Sequence, residues 1–135
     1  MYKILLLLLM IFLHIVDDFH LQGWLTQAKQ KSYWKQNAPD KLYKHDYIMA
    51  LFIHSFSWSF MVMIVPTIYL LIKFPTSINE IAITVMLFFI FNLLMHMGVD
   101  DSKANKRRIN LVKDQLIHFC QIIYTWFILI VLING

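Results

Sequence analysis

Four long apolar stretches dominate the sequence, at about 2–21, 47–72, 81–99 and 111–133. Each is near the roughly 20 residues that a helix needs to cross the hydrocarbon core of a bilayer. A soluble chain of 135 residues has too little interior to hide so much apolar surface. Composition agrees: 59% of the residues are hydrophobic and 15% charged, against about 45–50% and about 25% in ordinary soluble domains. Disorder is excluded by the same imbalance, and a disulfide scaffold by the single Cys120. The predicted fold is all-α: one polytopic four-helix transmembrane domain over 1–135. The first stretch resembles a signal peptide in its apolar run, but Asp17, Asp18 and Phe19 follow where small residues would mark cleavage, so it reads as a retained helix.

The loops assign an orientation. The loop after the first span carries Lys29, Lys31, Lys35, Lys41 and Lys44, and the loop after the third carries Lys103, Lys106, Arg107, Arg108 and Lys113; only Lys3 and Lys73 lie at the other side. The positive-inside rule makes the basic side cytoplasmic and sends both termini outward. The net charge of +4 is therefore a topology signal, and no nucleic-acid-binding motif accompanies it. Membrane lipids are the expected surroundings. A homo-oligomer is compatible with the pattern.

Local signals fill in the rest. Ser77 with Glu80 reads as a capping box for the third span, and Pro66 as a tolerated kink in the second. Trp24, Tyr33, Trp34 and Tyr43 suit the interface, with 24–34 as an interfacial helix whose lysines snorkel. His20 and His45 also read as interfacial.

Against this background the ionisable residues within the spans are costly and point to function. They repeat one spacing: His14 with Asp18, His96 with Asp100, and Asp114 with His118. Four residues apart on a helix means one shared face. His54 is added by the second span. Gln22, Asn92, Lys103, Asn110 and Gln121 extend these polar seams, whereas Asp17 and Asp101 point about 100° away as neighbouring or interfacial groups. Alternating span directions bring all the patches to the same, cytoplasmic end, with His54 and His118 roughly 10 Å inside their helix starts.

Imidazoles and carboxylates without thiolates suit a divalent metal, Zn or Mn foremost, as one ion or two. The expected ligands are His14, Asp18, His54, His96, Asp100, Asp114 and His118. An ion held there supplies an activated water at neutral pH, so a metal-dependent hydrolase is the leading expectation. Asp18 or Asp100 is the expected general base. Lys103, one turn past Asp100, is expected to hold an anionic substrate, such as a phosphoester or another polar-lipid or nucleotide group. Two alternatives stay open: a transporter using the His/Asp cluster as a proton or cation relay, and a non-enzymatic pore-forming or interaction subunit whose polar seams bind helices together.

The segments His14–Gln22 (HIVDDFHLQ), Lys29, the His54 region, His96–Asn105 (HMGVDDSKAN) and Asp114–His118 (DQLIH) together resemble a bacterial and phage family of small membrane proteins, domain of unknown function 3307. The first segment looks like its His-x-x-x-Asp-Phe-x-Leu-Gln signature, and the resemblance spans most of the chain. It implies a bacterial or phage membrane protein whose polar motifs belong together, and no particular reaction.

Overall fold

A computed structural model describes residues 1–133, and every regular element among them is helical. Four segments are long and apolar enough to cross a membrane: Tyr2–Leu21, Lys41–Lys73, Ile78–Ala104 and Leu111–Leu132. The first comprises α1 (Tyr2–Val16) and a π-helical extension, Asp17–Leu21. Two short helices follow, α2 (Leu25–Ala28) and α3 (Lys31–Asn37). The second span centres on α4 (Asp46–Lys73) and the third is α5 (Ile78–Ala104). The fourth is α6 (Leu111–Trp126), extended by a second π-helical stretch, Phe127–Leu132.

The bundle forms around α4, which packs most extensively against α5 and then against α1. Its buried face includes Leu51, His54, Trp58, Val62, Met63, Val65 and Leu70. Met10, Ile122, Leu129 and Ile130 complete an apolar core toward the α4 C-terminal end. Elsewhere the surface is crowded with exposed Leu, Ile, Phe and Met side chains on all four spans. Exposed apolar surface on this scale is normal only where lipid or another protein covers it.

Pro66 lies buried within α4 without ending it. A proline removes one backbone donor from the helix. Nearby, the Thr67 hydroxyl donates to the Met63 carbonyl at 2.7 Å, the kind of side-chain compensation that lets membrane helices carry proline.

The capping box does not form. Ser77 is the residue before α5, but its side chain makes no cap hydrogen bond, and Glu80 is exposed. Ser77 has φ −108° and ψ 40°, outside the β-region geometry from which a cap hydroxyl reaches back. Capping occurs instead at Asn110, whose side chain accepts from the Lys113 backbone N–H at 3.0 Å. Asn110 therefore closes a helix start instead of extending the Asp114–His118 seam.

The expected interfacial helix over 24–34 is broken at Lys29–Gln30. Trp34 donates to the Ala28 carbonyl at 2.6 Å and stacks on Tyr43, with 6.4 Å between ring centroids. This folds the segment back on itself. Ala28 and Lys29 are consequently buried, while Lys31 and Lys35 stay exposed.

Candidate metal centre

Three histidines form a line through the bundle. His54 Nε2 lies 3.1 Å from His96 Nε2, and His96 Nδ1 lies 3.2 Å from His118 Nδ1. All three rings are almost completely buried. Carboxylates flank the line: His54 Nε2 is 3.3 Å from Asp18 Oδ1 and 3.4 Å from Asp100 Oδ2. At the other end, His118 Nε2 is 3.4 Å from Asp100 Oδ1 and 3.6 Å from Asp114 Oδ1. The four spans each contribute: Asp18 from the first, His54 from α4, His96 and Asp100 from α5, and Asp114 and His118 from α6.

Three overlapping groups could hold a metal ion: Asp18, His54 and His96; His96, Asp100 and His118; and Asp18, Asp114 and His118. Within each group the donor atoms all lie within 4.8 Å of one another. Ligands about 2.0–2.1 Å from a tetrahedral ion would stand about 3.3–3.4 Å apart, close to the spacing around His54 and His118. Two side-chain atoms of residues in the third group, Asp114 Oδ1 and His118 Nε2, are buried without a hydrogen-bond partner. Orphaned buried polar atoms are costly, and a cation would satisfy both.

Charge leads the same way. The cluster gathers the carboxylates of Asp17, Asp18, Asp100 and Asp114. Two ammonium groups meet them: Lys29 Nζ at 2.5 Å from Asp100 Oδ2 and Lys103 Nζ at 2.6 Å from Asp114 Oδ2. With neutral imidazoles, two formal negative charges are left over. Uncompensated charge in a buried site is strongly unfavourable, and one divalent cation balances it.

His14 is not brought into any of these groups. Its ring is fully buried, but both nitrogens are engaged. Trp58 Nε1–H donates to His14 Nδ1 at 2.6 Å. An indole N–H is only ever a donor, so Nδ1 accepts and the proton of the neutral ring sits on Nε2. His14 Nε2 then donates to Gln115 Oε1 at 3.1 Å. That fixes the amide orientation: Gln115 Nε2 donates to Asp18 Oδ2 at 2.7 Å and to Asp114 Oδ2 at 3.1 Å. A directed chain therefore runs from Trp58 through His14 and Gln115 to two carboxylates. Trp58 also stacks on His96, with centroids 4.2 Å apart and planes 19° from parallel.

Asp17 faces inward, contrary to the helical-wheel expectation. It is 1% exposed; its Oδ1 accepts from Ser57 Oγ at 2.5 Å, and its Oδ2 lies 3.8 Å from His54 Nδ1. Asp17 follows His14 by three residues, a spacing that shares a helix face, and α4 sets Ser57 and His54 opposite it. The π-helical stretch that begins at Asp17 narrows the angle between Asp17 and Asp18, so both reach the interior, and such π-turns are frequent at functional sites. Asp101, in contrast, pairs outward with Lys106 at 2.8 Å. His20 and His45 are exposed.

Lysine placement departs from the sequence reading in two ways. Lys29 does not snorkel outward but is 7% exposed and bonded to Asp100, because a buried carboxylate attracts it more than the interface does. Lys103, expected to await a substrate, has its ammonium on Asp114, although its side chain is 32% exposed and borders an open cavity. Of the residues that sequence reasoning passed over or turned outward, three had a local signal. Trp58 lies one turn beyond His54, Asp17 lies three residues after His14, and Gln115 three before His118. The Lys29–Asp100 pair has no such signal.

Polar character continues one to two turns deeper. Gln121 Nε2 donates to Asn92 Oδ1 at 2.9 Å, and Asn92 Nδ2 donates to Thr125 Oγ1 at 3.1 Å. Beyond these lies the apolar core of Val62, Val65, Leu70, Leu129 and Ile130. Comparison with known proteins adds no relative: no family model, curated protein or solved structure matches the chain.

Proposed function

We propose that the protein is an integral membrane hydrolase that works with one divalent metal ion, held among Asp18, His54, His96, Asp100, Asp114 and His118. The observation that carries this reading is the pair of orphaned side-chain atoms, Asp114 Oδ1 and His118 Nε2, whose residues form a group with Asp18. The excess of two carboxylates over ammonium groups supports the same charge state for the ion. Mixed imidazole and carboxylate ligation suits Zn or Mn. Such an ion, when bound, polarises a phosphoryl or carbonyl oxygen and lowers the pKa of water.

The remaining chemistry falls to the chain. Asp100 is held by the Lys29 ammonium, which suits it to ligation. Asp18 is held by amide donors, Gln22 Nε2 at 2.6 Å on Oδ1 and Gln115 Nε2 on Oδ2, with His54 Nε2 3.3 Å from Oδ1. No lysine among the described residues holds it, so it can take the proton of an attacking water without displacing an ammonium group, as a general base. The Trp58–His14–Gln115 chain orients that carboxylate. The basic flank supports a site that faces the cytoplasm, with both termini outside, in line with a bacterial inner membrane. Chemistry from one side is favoured over passage because the polar seam ends in the apolar core around Val62 and Leu129.

The test is metal analysis of protein purified under conditions that retain weakly bound ions, alongside hydrolysis of p-nitrophenyl phosphate and bis-p-nitrophenyl phosphate. Wild type should carry about one equivalent of metal and lose hydrolysis on chelation, with recovery on adding Zn or Mn. His96→Ala and Asp114→Ala should lose both. A metal-free wild type overturns the reading.

A further inference from the structure

Beside the cluster lies a cavity of about 520 Å³, within the usual range of about 300–1,000 Å³ for small-ligand sites. Its wall includes Asp18, Lys29, Lys103 and Arg107, with Phe19 and Leu111. The cations differ in their engagement. Lys29 and Lys103 are paired with Asp100 and Asp114. Arg107 has no hydrogen-bond or ion-pair partner for its guanidinium among the described residues.

Backbone conformation singles out the same residue. Arg107 has φ 52°, the one positive φ at a non-glycine residue among those described. The left-handed region is disfavoured for side chains other than Gly, Asn and Asp, and such strain tends to persist at ligand sites. A glycine would turn the chain there more easily. Arg107 instead places a free, fork-shaped donor at the mouth of a cavity whose lysines are both paired, and guanidinium geometry matches phosphate.

The apolar part of the wall sits at membrane level. Phe19 is 55% exposed and Leu111 is 52% exposed. Leu111 begins α6 and Phe19 lies in the last turn of the first span, so both occupy the zone where headgroups give way to acyl chains. Basic pockets between helices at this level suit anionic headgroups.

We infer that this cavity receives the phosphate headgroup of a membrane amphiphile, with Arg107 on the phosphate and Phe19 and Leu111 against the start of the acyl chains. This deepens the hydrolase reading and rests on it, by naming the class of ester presented to the metal centre.

The test is calorimetric titration of the metal-analysed protein in neutral-detergent micelles. The probes are dihexanoyl phosphatidic acid, dihexanoyl phosphatidylcholine, glycerol phosphate and inorganic phosphate. Phosphatidic acid should bind at least about tenfold more tightly than the other three. Arg107→Gly should weaken its binding by about tenfold while the thermal midpoint stays equal or rises, since glycine relieves the backbone. Equal binding of glycerol phosphate or inorganic phosphate would assign the cavity to soluble phosphates and overturn the lipid assignment. Equal binding of phosphatidylcholine, or no effect of Arg107→Gly, would mean partition into the micelle and overturn it as well. Metal present without phosphatidic acid binding defeats this inference alone, whereas absence of metal defeats the hydrolase reading.

Discussion

Lys29 donates to Asp100 at 2.5 Å across 71 residues of sequence. Both side chains are withdrawn from solvent, at 9% and 2% exposure. The contact ties the break between α2 and α3 to the C-terminal end of α5, reinforced by Asn105 Nδ2 donating to the Lys29 carbonyl at 3.0 Å. Removing one partner of a buried pair leaves an uncompensated charge, at about 3–5 kcal/mol. Lys29→Met should therefore lower the thermal midpoint in detergent sharply, and Lys29→Met with Asp100→Asn should recover part of the loss. A double variant no more stable than Lys29→Met alone would show that the pair is not coupled.

His14 and His96 are both buried, yet their nitrogens face different partners. His14→Ala is expected to keep the metal stoichiometry of the wild type, because Trp58 and Gln115 occupy its ring. His96→Ala is expected to lose the metal, because His96 belongs to two of the three convergent groups. Metal content per chain, measured in parallel on folded protein, checks both outcomes.

Trp58 both stacks on His96 and donates to His14. Trp58→Phe keeps much of the aromatic surface and removes the donor. His14 Nδ1 then becomes a buried acceptor without a partner, at about 1–3 kcal/mol. The thermal midpoint should fall and hydrolysis should decline with the orientation of Asp18, while metal content is unchanged. Unaltered stability and activity would show that the hydrogen-bond chain carries no weight.

Helix capping offers a contrast free of the metal site. Asn110→Ala removes a cap from α6 and should cost about 1 kcal/mol. Ser77→Ala removes no cap hydrogen bond from α5 and should fall within about 0.5 kcal/mol of wild type. Denaturant or thermal midpoints of the two variants, measured side by side, decide this.

The spans and the polar seams are legible because each depends on local periodicity. Twenty apolar residues make a helix that only lipid or a large core will accept, and spacing of four puts His96 and Asp100 on one face wherever the helix ends up. Legibility fails where geometry departs from the regular helix. Asp17 stands about 100° from Asp18 on a regular helix, and the π-turn that begins at Asp17, with Ser57 opposite, sets both inside. Ser77 has the right chemistry for a cap but lacks the backbone angles. Trp58 has the right spacing to join His54, but an indole in an apolar span carries no mark of the hydrogen bond it makes.

Hydropathy and helical spacing alone thus determined that the chain is a four-helix membrane protein with histidines and aspartates collected toward one end. Both follow from forces acting within a single helix: the insolubility of apolar residues and the 3.6-residue turn. The tertiary structure decided which of those residues meet. It placed His54, His96 and His118 in line, withdrew His14 to a hydrogen-bonding role, and drew Lys29 in to Asp100. It also left Arg107 free at the cavity mouth. These outcomes depend on distances between helices, and no pattern along one strand of sequence encodes the distance from residue 29 to residue 100.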